Sequence, residues 1–213
     1  MELPVIENKV CERLKSGINI FFDISLKEEA KVGDFIPGEI PGIKENHLAR
    51  LPAGFNYSRK LYRSFSIDPT RYRPSSEALW RRVKKHGDFP TVNPFVDLTN
   101  LLSLKYQVPY GLYDLDLLEG DIRIDQGREG DAYQGIRKDT VNLQGKLMIR
   151  DQTGPFGNPS SDSLRTCTSE DTKNIMQVIF FHVDHPSCVE ILETSYALFA
   201  EFFRMSAGHS YFV

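Results

Sequence analysis

"PYGLYDLDLLEGDIRID", residues 109–125, crowds Asp114, Asp116, Glu119, Asp121 and Asp125 into one short span. Two readings compete for these carboxylates: a metal or acid–base site, or the polar side of paired strands. A calcium loop needs oxygen ligands at positions 1, 3 and 5 and a glycine at 6. Counted from Asp114, those last two places hold Leu118 and Glu119, so the pattern breaks. Alternation fits better: Leu115 and Leu117 interleave with Asp114 and Asp116, and Ile122 and Ile124 with Asp121, Arg123 and Asp125. The spacing therefore predicts a β-hairpin turning at Glu119 and Gly120, carboxylates toward water and no metal.

Upstream, "TVNPFVDLTNLLSLKYQ" predicts a helix with Asn93 as N-cap and Pro94 at the first helical position, where a missing N–H costs nothing. "PSSEALWRRVKKHG" predicts another, stopped by Gly87, and "SRKLYRSF" a shorter one. "VIENKVCERLKSG" spaces Ile6, Val10 and Leu14 as a helix would, and "INIFFDISL" alternates as a half-buried strand. Residues 32–56 are rich in Gly and Pro and read as loop. Downstream, "GKLMIRD" and "NIMQVIFFHV" read as strands, "GPFGNPSSDS" as a loop, and "HPSCVEILETSYALFAEFFRM" as a helix opened by a Ser187–Glu190 capping box. Helices and strands interleave without a regular βαβ rhythm, which makes the class α+β.

The chain has 213 residues, with a net charge of −3 that excludes a globally basic nucleic-acid binder. Locally, Arg59–Lys85 holds nine Lys/Arg against Asp68 and Glu77, and Thr91–Asp131 holds eight acids against three cations. A basic face for a phosphate backbone, or a solvated helix face, would each account for the first run. Cys11, Cys167 and Cys188 form neither a disulfide framework nor a zinc knuckle. The N-terminus lacks an apolar signal-peptide core, and no apolar run reaches membrane-spanning length, so a cytoplasmic protein off the membrane is expected. "HVDH" supplies His182, Asp184 and His185 but no fourth ligand. No phosphate loop, dinucleotide fingerprint or nucleophile elbow occurs.

"VNPFVDLTNLLSLKYQVPYGLYDLDLLEGDIRI" resembles the B3/B4 domain of the phenylalanyl-tRNA synthetase β subunit, whose motif runs V-D-V-T-N, a helix, then Q-P-x-H-A-F-D and a hairpin. "RPSSEALWRRV", "NPFVDLTN", "GLYDLD" and "SDSLRT" are similar in order to motifs of the free-standing B3/4-domain proteins. The resemblance implies a three-layer fold with sandwich-like packed β-sheets and flanking helices. It implies one domain over residues 1–213: an N-terminal portion (1–69), the core (70–181) and a C-terminal helix (186–205).

In the synthetase this domain hydrolyses tyrosine mischarged onto tRNA, so the resemblance implies an aminoacyl-tRNA deacylase acting in trans. Such an ester is already activated; a site need only position water and stabilise an oxyanion, without a cofactor. Carried over residue by residue, Thr99 and Asn100 match the family's Thr-Asn pair, and Asp162 is the candidate base. Asp97, Gly111, Tyr113, Asn158, Ser161, Ser163, Arg165 and Thr166 are candidates to bind an amino acid or its ester. Arg71, Arg73, Arg81, Arg82, Lys84 and Lys85 are candidates to meet tRNA. This chain departs from the synthetase at two side chains: Gly111 stands in place of the motif's His, and "FGNPSSD" lacks the Glu of F-G-G-E. Gly111 predicts a larger or differently shaped pocket. Two readings follow, the deacylase and a non-catalytic binder of RNA, amino acid or small metabolite; aminoacylation is expected of neither.

Overall fold

The computed structural model describes residues 3–47, 53–136 and 140–213. In chain order the elements are β1 (Ile6–Asn8), β2 (Leu14–Phe22), β3 (Ser25–Leu26), α1 (Val32–His47), α2 (Phe55–Ser64), α3 (Ser75–His86), α4 (Pro94–Tyr106), β4 (Tyr110–Asp114), β5 (Ile122–Gln126), β6 (Ala132–Gln134), β7 (Thr140–Asn142), β8 (Leu147–Arg150), β9 (Pro155–Asn158), β10 (Ser161–Asp162), β11 (Ile175–His182), α5 (Cys188–Phe202), β12 (Phe203–Arg204) and β13 (Ala207–Phe212). An antiparallel sheet runs β13-β2-β11-β4, and a second runs β1-β5-β8-β9-β10 with one parallel pair, β1–β5.

The four-stranded sheet is buried on both faces, which gives β2 and β11 nearly continuous apolar runs. On one face Phe21, Ile175, Ile179 and Phe181 pack against Leu98, Leu101 and Leu102 of α4 and Ile191 and Phe199 of α5. On the other, Ile18, Ile20, Tyr113 and Val178 meet Ile122, Ile124, Ile149 and Phe156 of the five-stranded sheet. Helices, sheet and sheet are the expected three layers of an α+β fold. In α4, Asn93 Oδ1 accepts the Val96 N–H at 3.0 Å and Pro94 takes the first position, as the sequence predicts. Gly87 ends α3 in the left-handed conformation (φ +79°) that favours glycine.

Several expectations are corrected. The acidic stretch is not a hairpin: β4 belongs to the four-stranded sheet and β5 to the other, joined by a 3₁₀ turn at Leu115–Leu117. Asp114 accepts from the Thr172 hydroxyl and the Asp116 N–H, and Asp116 accepts from Asn174 Nδ2, so these carboxylates pin the crossover to the entry of β11. The expected N-terminal helix is β1, a turn and β2, because pairing with β5 satisfies Ile6–Asn8 while Asn8 Nδ2 bonds the carbonyls of Leu14 and Val213. Residues 32–47 are helix despite Pro37 and Pro41. Val32, Ile36, Ile40 and Ile43 recur on one buried face, and both prolines lie on the exposed one. "GPFGNPSSDS" is the β9–β10 hairpin, and Ser187 makes no side-chain cap.

Glu77 joins α2 to α3. It is fully buried, with Arg59 donating to both oxygens at 2.8 Å and Arg81 Nε to one at 2.9 Å. Burial pushes its pKa up, but the two guanidiniums hold it below the ordinary glutamate value. Removing the charge leaves Arg59 uncompensated in a mostly buried place. Glu77→Gln is expected to lower the unfolding free energy by about 3 kcal/mol in urea titrations; a loss below about 0.5 kcal/mol would contradict the role assigned to the triad.

Candidate functional site

β4 ends the four-stranded sheet, and its outer edge is closed by the loop that follows β9. The Asp162 carboxylate faces the Leu112 N–H, and the Thr166 carbonyl accepts the Asp114 N–H at 2.9 Å. The loop is shaped from within. Asn158 Oδ1 accepts the N–H groups of Ser160 and Ser161, and the buried hydroxyls of Ser163 and Thr166 meet at 3.0 Å. Tyr113 bolts it in place. Its hydroxyl donates to Asp162 Oδ1 at 2.7 Å, and its ring end lies where a Cβ on either Gly111 or Gly157 would fall, 2.1 Å from the hydroxyl oxygen in both cases. Both glycines are required by this close approach. The pocket expected above Gly111 is thus filled by the chain's own Tyr113, which is fully buried and closed to any substrate.

Asp162 sits among phenols. Burial pushes its carboxyl up to about 7, and the bonds from Tyr113 and the Leu112 N–H offset only part of that rise. Burial also raises Tyr62 and Tyr133, the latter further through the neighbouring Asp162 charge. Tyr133 donates to the Ser161 carbonyl, and Tyr62 shares a hydrogen bond with Ser160 Oγ. A carboxyl titrating near neutrality in such surroundings has the proton affinity that general acid–base work requires.

The remaining candidates separate. Arg165, expected to meet an anion, makes a bidentate pair with the buried Asp151 at 2.9 and 3.0 Å. Asp151 also accepts the N–H groups of Glu119, Thr153 and Gly154. Burial pushes Asp151 up, yet Arg165 and these donors hold it below its ordinary value. Asp97 accepts the Val92 N–H at 2.7 Å and so secures the start of α4. Thr99 accepts from Gln177 Nε2 at 3.2 Å, in a ladder that continues through Asn19 to Ser210. Gln177 pairs with Leu112, and Leu112 and Tyr113 point to opposite faces of β4, so Thr99 and the Tyr113–Asp162 pair lie across the sheet from one another. The expected catalytic trio is therefore split. Asn100, half-buried beside Thr99, has no side-chain hydrogen bond among the described residues.

A cleft of about 600 Å³ opens between the α2–α3 segment and the β7–β10 region. It brings Arg71, Arg73 and Arg81 together with Asn158, Ser160 and Ser161, joining half of the expected RNA-binding set to the polar loop. Arg82, Lys84 and Lys85 project from the exposed side of α3. His182 Nδ1 accepts the Asp184 N–H and His185 packs on Tyr57 and Phe181; among the described residues no group of three or more His, Cys, Asp or Glu gathers as for a metal.

A family model of the B3/4 domain matches residues 58–195. The chain belongs to the B3/4 domain family. The phenylalanine–tRNA ligase β subunit of Fusobacterium nucleatum is 30% identical over 132 residues, 57% of this chain and 16% of that protein. That of Bartonella quintana is 34% identical over 81 residues, 38% of this chain and 10% of that protein. The chain thus spans a small fraction of these curated relatives. An N-terminal fragment of the phenylalanyl-tRNA synthetase β subunit from Pyrococcus horikoshii superposes over 99% of this chain and 54% of its own, with TM-score 0.51 at 11% identity, a likeness of fold. Both β2 and β13 lie outside the matched B3/4 span, yet β2 pairs with the central β11 and β13 with β2 in the same sheet.

Sequence reading missed Tyr62, Tyr72, Tyr133, Lys146 and Asp151. One signal was available for the bolt itself: Gly111 and Tyr113 are same-face neighbours on a strand, the spacing at which an aromatic ring folds over a glycine. No helix is long and apolar enough to cross a membrane among the described residues.

Asp162 also makes a pH prediction. In the folded B3/4 chain it keeps its proton up to about pH 7, whereas an unfolded aspartate loses it near pH 4. The folded state holds the extra proton between those values, so stability falls as pH rises through that window and levels above it. Asp162→Asn retains an acceptor but cannot ionise. Its melting temperature is expected to exceed the parent's most at pH 8, with the gap narrowing at pH 5; a gap independent of pH would contradict the assignment.

Proposed function

We propose that this chain is a tRNA-related B3/4 protein, working as one unit over its whole length, that hydrolyses the ester of a mischarged aminoacyl-tRNA in trans. What carries this reading is the adjacency of the cationic cleft to Asp162: Ser160 and Ser161 line the cleft, and the near-neutral carboxyl follows directly in the chain. The acceptor end enters along Arg71, Arg73 and Arg81. Asp162 takes a proton from the water that attacks the ester carbonyl and returns it to the terminal ribose oxygen as the ester bond breaks, while Asn100, on α4 across the sheet, does not reach that ester. Thr99 positions α4 through Gln177 and does not touch the ester.

A second reading, non-catalytic binding of RNA or an amino acid on the same scaffold, draws on a specific observation: Arg165 and Thr99 are committed to internal bonds, and Tyr113 fills the Gly111 space. Incubation with a panel of correctly and incorrectly charged tRNAs separates the two. The deacylase reading expects accelerated loss of at least one mismatched ester, with Asp162→Asn reducing the rate about 100-fold or more. Arg71→Ala combined with Arg73→Ala is expected to raise KM and leave kcat near the parent's. No acceleration for any pair, together with retained binding of uncharged tRNA, overturns catalysis in favour of the binder.

A further inference from the structure

The cleft is lined by the half-buried apolar side chains of Ile67 and Val141 and by the cations Arg71, Arg73 and Lys146; among the described residues no Asp or Glu lines it. Lys146 Nζ lies 4.4 Å from the centre of the Tyr72 ring and the Arg71 guanidinium 5.7 Å, so Tyr72 gathers both cations at the mouth. Among the described residues neither Arg73 nor Lys146 forms an ion pair with a carboxylate; Lys146 donates to the Asn142 carbonyl instead. Arg81 reaches Glu77 through Nε, but Glu77 is shared with Arg59, which leaves that trio one positive charge in excess. Uncompensated cations beside an apolar wall suit a ligand that is anionic at one end and apolar or aromatic at the other. The volume falls inside the range of about 300–1,000 Å³ common to small-ligand sites.

We infer that the cleft is a subsite for a phosphate ester bearing a nucleoside, with the phosphate on Arg71, Arg73 and Lys146 and the base along Ile67 and Val141. The phosphate comes either from a free nucleotide or from an RNA strand. In the second case the inference rests on the reading proposed above, and in the first it stands without it. The edge of the Tyr72 ring, rather than its cation-covered face, is what meets the ligand.

Calorimetric titration of the whole chain with adenosine 5′-monophosphate, adenosine and a single-stranded tetraribonucleotide tests this. At least one phosphorylated probe is expected to bind, with adenosine about tenfold weaker or more, since the missing phosphate removes charge-assisted bonds. Arg73→Ala and Lys146→Met are each expected to weaken the phosphorylated probe about fivefold or more, while Arg204→Ala, outside the cleft, leaves it unchanged. Monophosphate binding without the strand assigns a free nucleotide; strand binding with a log–log salt slope of about −0.7 per contact assigns RNA. Equal affinity for adenosine and its phosphate, indifference to both substitutions, or no binding of either phosphorylated probe overturns the inference. Ester hydrolysis that persists without phosphate binding sinks only this subsite, and phosphate binding without hydrolysis sinks only the deacylase.

Discussion

A strand at the rim of a sheet exposes unpaired N–H and C=O groups, and proteins cover or disrupt such edges because they otherwise recruit foreign strands. Here the rim strand is β4, and its cover is the segment from β10 to Thr166, which belongs to the other sheet and does not pair with β4 strand to strand. The cover holds because three unlike contacts coincide: a carboxylate facing the Leu112 N–H, a carbonyl on the Asp114 N–H, and a phenol that reaches Asp162 between two glycines. The glycines let the Tyr113 ring in, the ring sets the carboxyl, and the carboxyl sets the loop. The loop in turn forms one wall of the cationic cleft. Fold and candidate site therefore share the same few atoms, and the near-neutral proton affinity of Asp162 follows from its use as a buried cap.

Most of the helices were legible from local chemistry. Asn93 and Pro94 announce α4, Gly87 ends α3, and the apolar spacing of α5 survives without its expected cap, because burial of one face outweighs a single hydrogen bond. Helix α1 was illegible for the same reason in reverse: Pro37 and Pro41 argue against a helix locally, and only the buried stripe of Val32, Ile36, Ile40 and Ile43 shows why it forms. The alternation of residues 114–125 marked a strand only in its second half, since Leu115–Leu117 is a 3₁₀ turn, and alternation cannot say which sheet a strand joins. That choice is made by long-range partners, Asn174 and Thr172 on one side and Ile6–Asn8 on the other.

The candidate site was legible in composition and not in connectivity. Ser161, Asn158, Arg71, Arg73 and Arg81 do meet around one cleft. Arg165 looked equally suited to an anion, yet its partner Asp151 lies in the turn between β8 and β9 and is invisible to spacing arguments. Thr99 looked catalytic from its position in a motif; a buried hydroxyl must be paired, and Gln177 pairs it across the sheet from Asp162.

Amide hydrogen exchange at Leu112 and Asp114 tests most directly the claim that Asp162 seals the rim of β4. Both amides are expected to be strongly protected in the parent, with a selective loss at Leu112 in Asp162→Ala and Asp114 still held by the Thr166 carbonyl. Leu112 exchanging in the parent as fast as an exposed loop amide, or keeping full protection in the variant, would contradict it.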